Sequence, residues 1–284
     1  MKRCTSAVAM LMVCTLISLA GAKTPPAAPS TGSPYLFVWA GDEARKSSDF
    51  LAVIDARPSS PSYGSIVRTL PVGITGSMPH HTEYEFPQDD LLYANGWVAG
   101  HTFIFDLHQP LKPRIVAQFQ DRAGYSFPHS FVRLPNGDVL ATFQSHGGAL
   151  AADGGLVELR QDGSVVRSAS ALDPAVDKDV IWPYSMAVVP QLDRVVSSSS
   201  PMGWPDWGKL PPGSWTLQKI GDQVTAQVQV WRLSDLHLLK TVTLSPDGEK
   251  HNRWPAEPRL LPDGSIYVNT FSCGLYRIKN VTGA

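Results

Sequence analysis

FPHSFVRLP (127–135), running straight into NGDVLATF (136–143), is the stretch on which the fold turns. One apolar run closes on Pro135, turns through Asn136-Gly137 and resumes as a second apolar run. Asn-Gly between two such runs signals a hairpin, because both residues tolerate the positive φ of a tight turn. The same text recurs. WPYSMAVVP (182–190) leads into QLDRVVSS, and WPAEPRLLP (254–262) leads into DGSIYVNTF. A looser copy, MPHHTEYEFP (78–87), leads into DDLLYA. The copies start about 50 to 70 residues apart, which is the spacing of propeller blades with one longer loop. A sandwich has no need of one local motif at the start of each unit.

The rest of the chain agrees. Short apolar, β-branched or aromatic runs such as Tyr35–Trp39, Phe50–Ile54, Phe103–Asp106, Val228–Trp231 and Ile266–Thr270 alternate with Asp162-Gly163, Asp247-Gly248 and Asp263-Gly264. Helical periodicity is almost absent. The expectation is an all-β, propeller-like fold of about four to five blades.

Cyclic repetition has a chemical consequence. Equivalent residues at the start of each inner strand converge on one channel. The residue after the aromatic-Pro pair is His129 in one copy, Tyr184 in the next and Ala256 in the last. In the loose copy it is His80 or His81, depending on where the extra residue falls. Neutral imidazole is the commonest protein ligand for borderline metals, so such a cluster suits copper, zinc or iron. Neighbouring residues of a regular strand face opposite ways. Both histidines therefore reach one ion only if a bulge or turn lies at Pro79-His80-His81. Otherwise one ligates and the other packs.

The remaining candidates are weaker. His251, in the polar segment SPDGEKHNRW, is a fourth candidate ligand. Glu83 and Glu257 are candidate proton carriers or partners of the ligating histidines. Cys273 is either a thiol for a soft metal or selenium, or an inert residue. His101, His108, His146 and His237 sit off the repeat and read as ordinary surface or core histidines. The tryptophan-rich loop around Trp204, Trp207 and Trp215 reads as packing over a propeller face rather than a lid.

The first 22 residues stand apart. Lys2 and Arg3 precede an apolar stretch, Ala7 to Leu19, and a small-residue site, Ala20-Gly21-Ala22. This is the layout of a cleavable export signal (1–22), too short for a comfortable membrane span, and it implies a periplasmic or secreted product. Residues 23–34, KTPPAAPSTGSP, read as a flexible linker, and 35–284 as the folded domain. Of three cysteines only Cys273 survives cleavage, so no disulfide framework holds the fold. A net charge of −1 with no basic patch argues against nucleic acid. The nucleophile-elbow, phosphate-loop and H-E-x-x-H templates are absent.

DFLAVIDARPSSPSYGSIVRTLPV (49–72) followed by PHHTEY (79–84) resembles the N-terminal signature of selenium-binding proteins and methanethiol oxidases. FPHSFVRLPNGDVLATF resembles that family's next histidine-bearing segment, GGLVELRQDG (154–163) the strand after it, and VQVWRLSDLHLLKTVTL (228–244) its later "VWD" strand. The resemblance runs with gaps from about Tyr35 to Ile278. It implies a propeller, normally seven-bladed, and copper-dependent oxidation of methanethiol by oxygen to formaldehyde, hydrogen sulfide and hydrogen peroxide. By carry-over, His80, His81 and His129 match the family's metal-associated histidines. The alternative is a non-catalytic protein that binds selenium or copper. Two departures stand out. PAEPRLLPDG (255–264) lacks the histidine the family carries there, and the family chain is much longer. The expectation is a C-terminally shortened relative, which admits a homo-oligomer.

Overall fold

The computed structural model describes residues 33–148, 152–176, 180–201, 225–244 and 251–282. The expected export signal (1–22), most of the expected linker (23–34), Asp247-Gly248 and the tryptophan-rich segment lie outside them. The described residues carry eighteen strands, two 3-10 turns and no α-helix. No helix among them is long and apolar enough to cross a membrane.

The strands form five antiparallel sheets in chain order. The first holds β1 (Tyr35–Ala40), β2 (Ser48–Asp55) and β3 (Ile66–Thr75). The second holds β4 (Pro79–Thr82), β5 (Leu91–Gly96), β6 (His101–Asp106) and β7 (Arg114–Phe119). The third holds β8 (Tyr125–Arg133), β9 (Val139–His146), β10 (Gly155–Leu159) and β11 (Val165–Ser170). The fourth holds β12 (Pro183–Val189), β13 (Arg194–Ser199), β14 (Gln227–Arg232) and β15 (His237–Thr243). The fifth holds β16 (Pro255–Leu260), β17 (Ile266–Thr270) and β18 (Leu275–Ile278). Every strand pairs with its sequence neighbour, the up-and-down order of a propeller blade.

Register shows how the incomplete sheets correspond to the complete ones. Tyr35 pairs with Asp55 at the end of β2, as Leu91 pairs with Asp106 at the end of β6. β1 is therefore equivalent to β5, a second strand, and the first sheet lacks an inner strand among the described residues. The fifth sheet has its inner strand, β16, and lacks a fourth among the described residues.

Four apolar cores lie between successive sheets. One joins Leu51 and Val72 to Phe103 and Phe105. The next joins Tyr93 and Ile104 to Phe131, Val139 and Phe143. A third joins Leu140 and Leu156 to Met186, Val195 and Trp231, and the last joins Val196 and Val230 to Ile266 and Val268. Central strands such as β5, β6 and β10 are covered on both faces, so they read as continuous apolar runs. The outer strands β7 and β11 alternate between exposed and partly covered residues.

All four copies of the repeat lie on an inner strand, and all four carry the same irregularity. Pairing shifts between Pro79 and Thr82, Pro128 and Phe131, Pro183 and Met186, and Pro255 and Pro258. In each, three residues advance on the inner strand while two advance on its partner. That is a bulge, which re-aims side chains. It aligns His80 with His129, Tyr184 and Ala256. It also aligns His81 with Ser130, Ser185 and Glu257. Three of the residues before these prolines, Met78, Phe127 and Trp254, sit at φ of 59°, 60° and 57°. Left-handed backbone in a bulky residue costs on the order of 1–2 kcal/mol and collects at functional sites.

The bulge would orphan one N–H in each strand, and a side chain of the second strand takes it. His81 N donates to Asn95 Oδ1 (2.6 Å), Ser130 N to Thr142 Oγ1 (2.9 Å), Ser185 N to Ser198 Oγ (3.2 Å) and Glu257 N to Asn269 Oδ1 (2.8 Å). The same side chains reach the next sheet. Asn95 Nδ2 donates to the carbonyl of His129 (3.0 Å), Thr142 Oγ1 to that of Tyr184 (2.9 Å), and Ser198 Oγ to that of Ala256. Hydrogen bonds thus run around the inner ring from sheet to sheet. Thr142→Val keeps the shape and strands the Ser130 N–H. It is expected to cost about 1–2 kcal/mol, read as a lower denaturation midpoint at unchanged slope.

Candidate metal centre

The bulges bring His80 and His81 of β4 and His129 of β8 together. Their ligand atoms lie within 4.8 Å of one another. Ring centroids are 4.5 Å apart for His80–His81, 4.5 Å for His81–His129 and 4.8 Å for His80–His129. His129 is fully buried, and the other two are partly covered.

Hydrogen bonds set the tautomers. His129 Nδ1–H donates to the carbonyl of Tyr184 at 2.6 Å, which leaves the lone pair on Nε2. That Nε2 faces His80 Nε2 at 3.1 Å. The separation is close to the ligand–ligand edge of a site with metal–imidazole bonds of about 2.0 Å. His81 Nδ1 lies 3.2 Å from Ser130 Oγ.

Burial keeps the imidazoles neutral. Desolvation, helped by the adjacent His81, takes His80 down to about 3. His129 is held well below its ordinary value, first by burial and then by its two neighbours. Burial also lowers His81, against the opposing pull of Glu257. Neutral imidazole is the ligating form, so the apo site is ready for a cation at neutral pH. Three imidazoles without thiolate fit copper, zinc or iron.

Aromatic residues wall the cluster. Tyr184 lies 4.0 Å from the His129 ring and 5.7 Å from Phe271, and Trp97 lies 6.3 Å from His80. Met78, Val98 and Ala256 complete this apolar patch.

The other candidates separate. Glu257, at the bulge position of β16, approaches His81, with Oε1 3.8 Å from Nε2. Its Oε2 accepts from Tyr84 OH, from Ser185 Oγ (2.6 Å) and from Arg259 Nη2 (2.8 Å). Glu83 is directed elsewhere: it pairs with Arg133 at 2.9 Å and accepts the Tyr93 N–H at 3.0 Å. His251 is exposed and donates to the Ser272 carbonyl, and Cys273 is exposed as well. Neither joins the three-histidine cluster. His108 is tied to Asp106 at 2.7 Å, and His101, His146 and His237 also lie outside the cluster.

Sequence reasoning did not single out Tyr84, Ser130, Ser185, Arg259, Asn95 or Thr142. A signal existed for two of them. Ser130 and Ser185 stand two residues after the repeated proline, where His81 and Glu257 stand in their own copies.

No protein-family model matches the chain. It is similar to a methanethiol oxidase of Hyphomicrobium, at 29% identity over 242 residues, covering 79% of this chain and 51% of that protein. It is also similar to selenium-binding protein 1 of Arabidopsis thaliana, at 28% identity over 144 residues, covering 43% of this chain and 29% of that protein. The chain thus spans about half the length of the first relative and less of the second. Among solved structures it is similar in fold to a hypothetical selenium-binding protein from Sulfolobus tokodaii, with a TM-score of 0.62, 18% identity, and coverage of 82% of this chain and 53% of that one. The WD40 repeats of RRP9 align with a TM-score of 0.51 at 10% identity, over 86% of this chain and 58% of that one.

Proposed function

This chain belongs to the selenium-binding protein and methanethiol oxidase family, and from that membership we propose that it binds copper through His80, His81 and His129 and oxidises a small thiol with oxygen. The observation that carries the reading is the gathering of three neutral imidazoles by two matching bulges on neighbouring inner strands. With methanethiol the atoms balance when one thiol, one dioxygen and one water give one formaldehyde, one hydrogen sulfide and one hydrogen peroxide. The carbon loses two electrons and dioxygen gains them. Copper in this cluster would supply the electron transfer between thiol and oxygen.

The chain's own residues prepare the site. Burial holds the imidazoles deprotonated, and the Tyr184 carbonyl fixes His129 with Nε2 toward His80. Tyr184, Trp97 and Phe271 offer an apolar wall suited to a methyl group and keep water off the cluster. The leader-like residues 1–22 support a periplasmic or secreted location as part of the same proposal.

The test is oxygen uptake on methanethiol by copper-loaded protein, with hydrogen sulfide and hydrogen peroxide measured together. Turnover that needs copper supports the oxidase. The likeness to selenium-binding protein 1 favours one second reading, a metal- or selenium-binding protein without turnover. Copper retained at one equivalent with no oxygen uptake would select it.

A further inference from the structure

Among the described residues, Glu257 is the one carboxylate that reaches the histidine cluster, and it does so from a different sheet. β16 belongs to the fifth sheet, whereas His81 and Tyr84 lie in and just after β4 of the second. Its two oxygens have different company. Oε2 receives Tyr84 OH, Ser185 Oγ and Arg259 Nη2, and the Arg259 guanidinium lies 3.7 Å over the Tyr84 ring. The backbone N–H of Glu257 is tied to Asn269 Oδ1. The side chain is therefore held at both ends, and its remaining oxygen, Oε1, is turned to His81 Nε2 at 3.8 Å. Among the described residues no hydrogen-bond partner occupies that Nε2. The other ring nitrogen, Nδ1, lies beside Ser130 Oγ.

Resting on the metal reading above, we propose that Glu257 is the positioning residue of the centre. It takes the Nε2–H of His81, and so presents Nδ1 of His81 to the metal. A carboxylate that accepts the second N–H of a ligating imidazole fixes its tautomer and raises its basicity. At 3.8 Å the pair stands at ion-pair range, and a small rotation of the His81 ring makes it a hydrogen bond. The donor set is then mixed, Nε2 from His80 and His129 and Nδ1 from His81. The clamp makes the arrangement specific to a carboxylate. In Glu257→Gln the three donors at Oε2 require the amide oxygen there. The amide N–H is then left facing His81 Nε2, and it favours the opposite tautomer.

The test uses the full chain loaded with copper(I), which is diamagnetic, and nitrogen-15 histidine NMR. The wild type should show His81 protonated at Nε2 and metallated at Nδ1. Glu257→Gln should reverse that tautomer and weaken copper binding about 10- to 100-fold. A merely structural role would leave the tautomer alone. His81 metallated through Nε2 in the wild type would overturn the proposal. So would copper affinity in Glu257→Gln within twofold of wild type. Should that variant fail to fold, the wild-type tautomer decides alone. A wild type that takes no copper overturns this proposal together with the metal reading. One that shows the expected tautomer without oxidising methanethiol overturns only the oxidase.

Discussion

His129→Ala should lower copper affinity by more than about 100-fold, since removing a partner of a ligand already costs 10- to 100-fold. His129 is chosen because it is the ligand least able to be replaced. It is fully buried, its Nδ1 is spent on the Tyr184 carbonyl, and its Nε2 stands 3.1 Å from His80 Nε2. No water can take its place without losing that geometry. The fold should survive. The Tyr184 carbonyl keeps its second donor, Thr142 Oγ1, so the cost to the apo protein is mainly that of the cavity left by a fully buried ring, about 2–5 kcal/mol. Competition against a copper chelator reads the affinity, and a urea melt reads the fold. His251→Ala is the matched comparison. That residue is exposed and bonded to the Ser272 carbonyl, so its removal should leave affinity unchanged. Equal losses in the two variants would sink the ligand assignment.

Much of this was legible because the repeat is written in residues with narrow backbone rules. Pro79, Pro183 and Pro255 open three inner strands, and the glycines of Asn136-Gly137, Asp162-Gly163 and Asp263-Gly264 hold φ between 79° and 90° in the turns. The choice between His80 and His81 was not legible. It depends on a bulge, and a bulge is a property of pairing between strands. His80 and His81 look alike in a line of text. Only the register of β4 on β5 shows that both turn inward. The two glutamates were equally alike in sequence. Glu83 follows β4 and meets Arg133 of the third sheet, whereas Glu257 lies at the bulge itself and meets His81. Both partners are distant in sequence, so neither contact leaves a local trace. The proposed function rests on likeness, and the relatives extend well beyond the residues matched.

Acid should weaken the apo protein well before its carboxylates titrate. The unfolded chain takes up protons on histidine near 6.5, and folded His80 takes one up only near 3. Between those values the unfolded state holds more protons, so stability is complete above about 6.5 and falls as the pH drops toward 3. From pH 7 to 5, His80 alone removes about 2 kcal/mol. His129, shifted the same way and more deeply buried, and His81, also lowered by burial, add to the drop. His101 adds in the same direction. His108 is raised by Asp106 and opposes it, but it is exposed and its effect is screened. Asp106, lowered to about 2, contributes nothing in this window, because its loss begins below its own unfolded value. Urea melts of the apo protein at pH 7 and 5 measure the drop. His80→Ala should reduce it by about 2 kcal/mol, because the variant has removed a group that resists protonation only when folded. A drop of the same size in wild type and His80→Ala would show that His80 is solvated in the folded protein, and the argument for a preformed, neutral metal site would go with it.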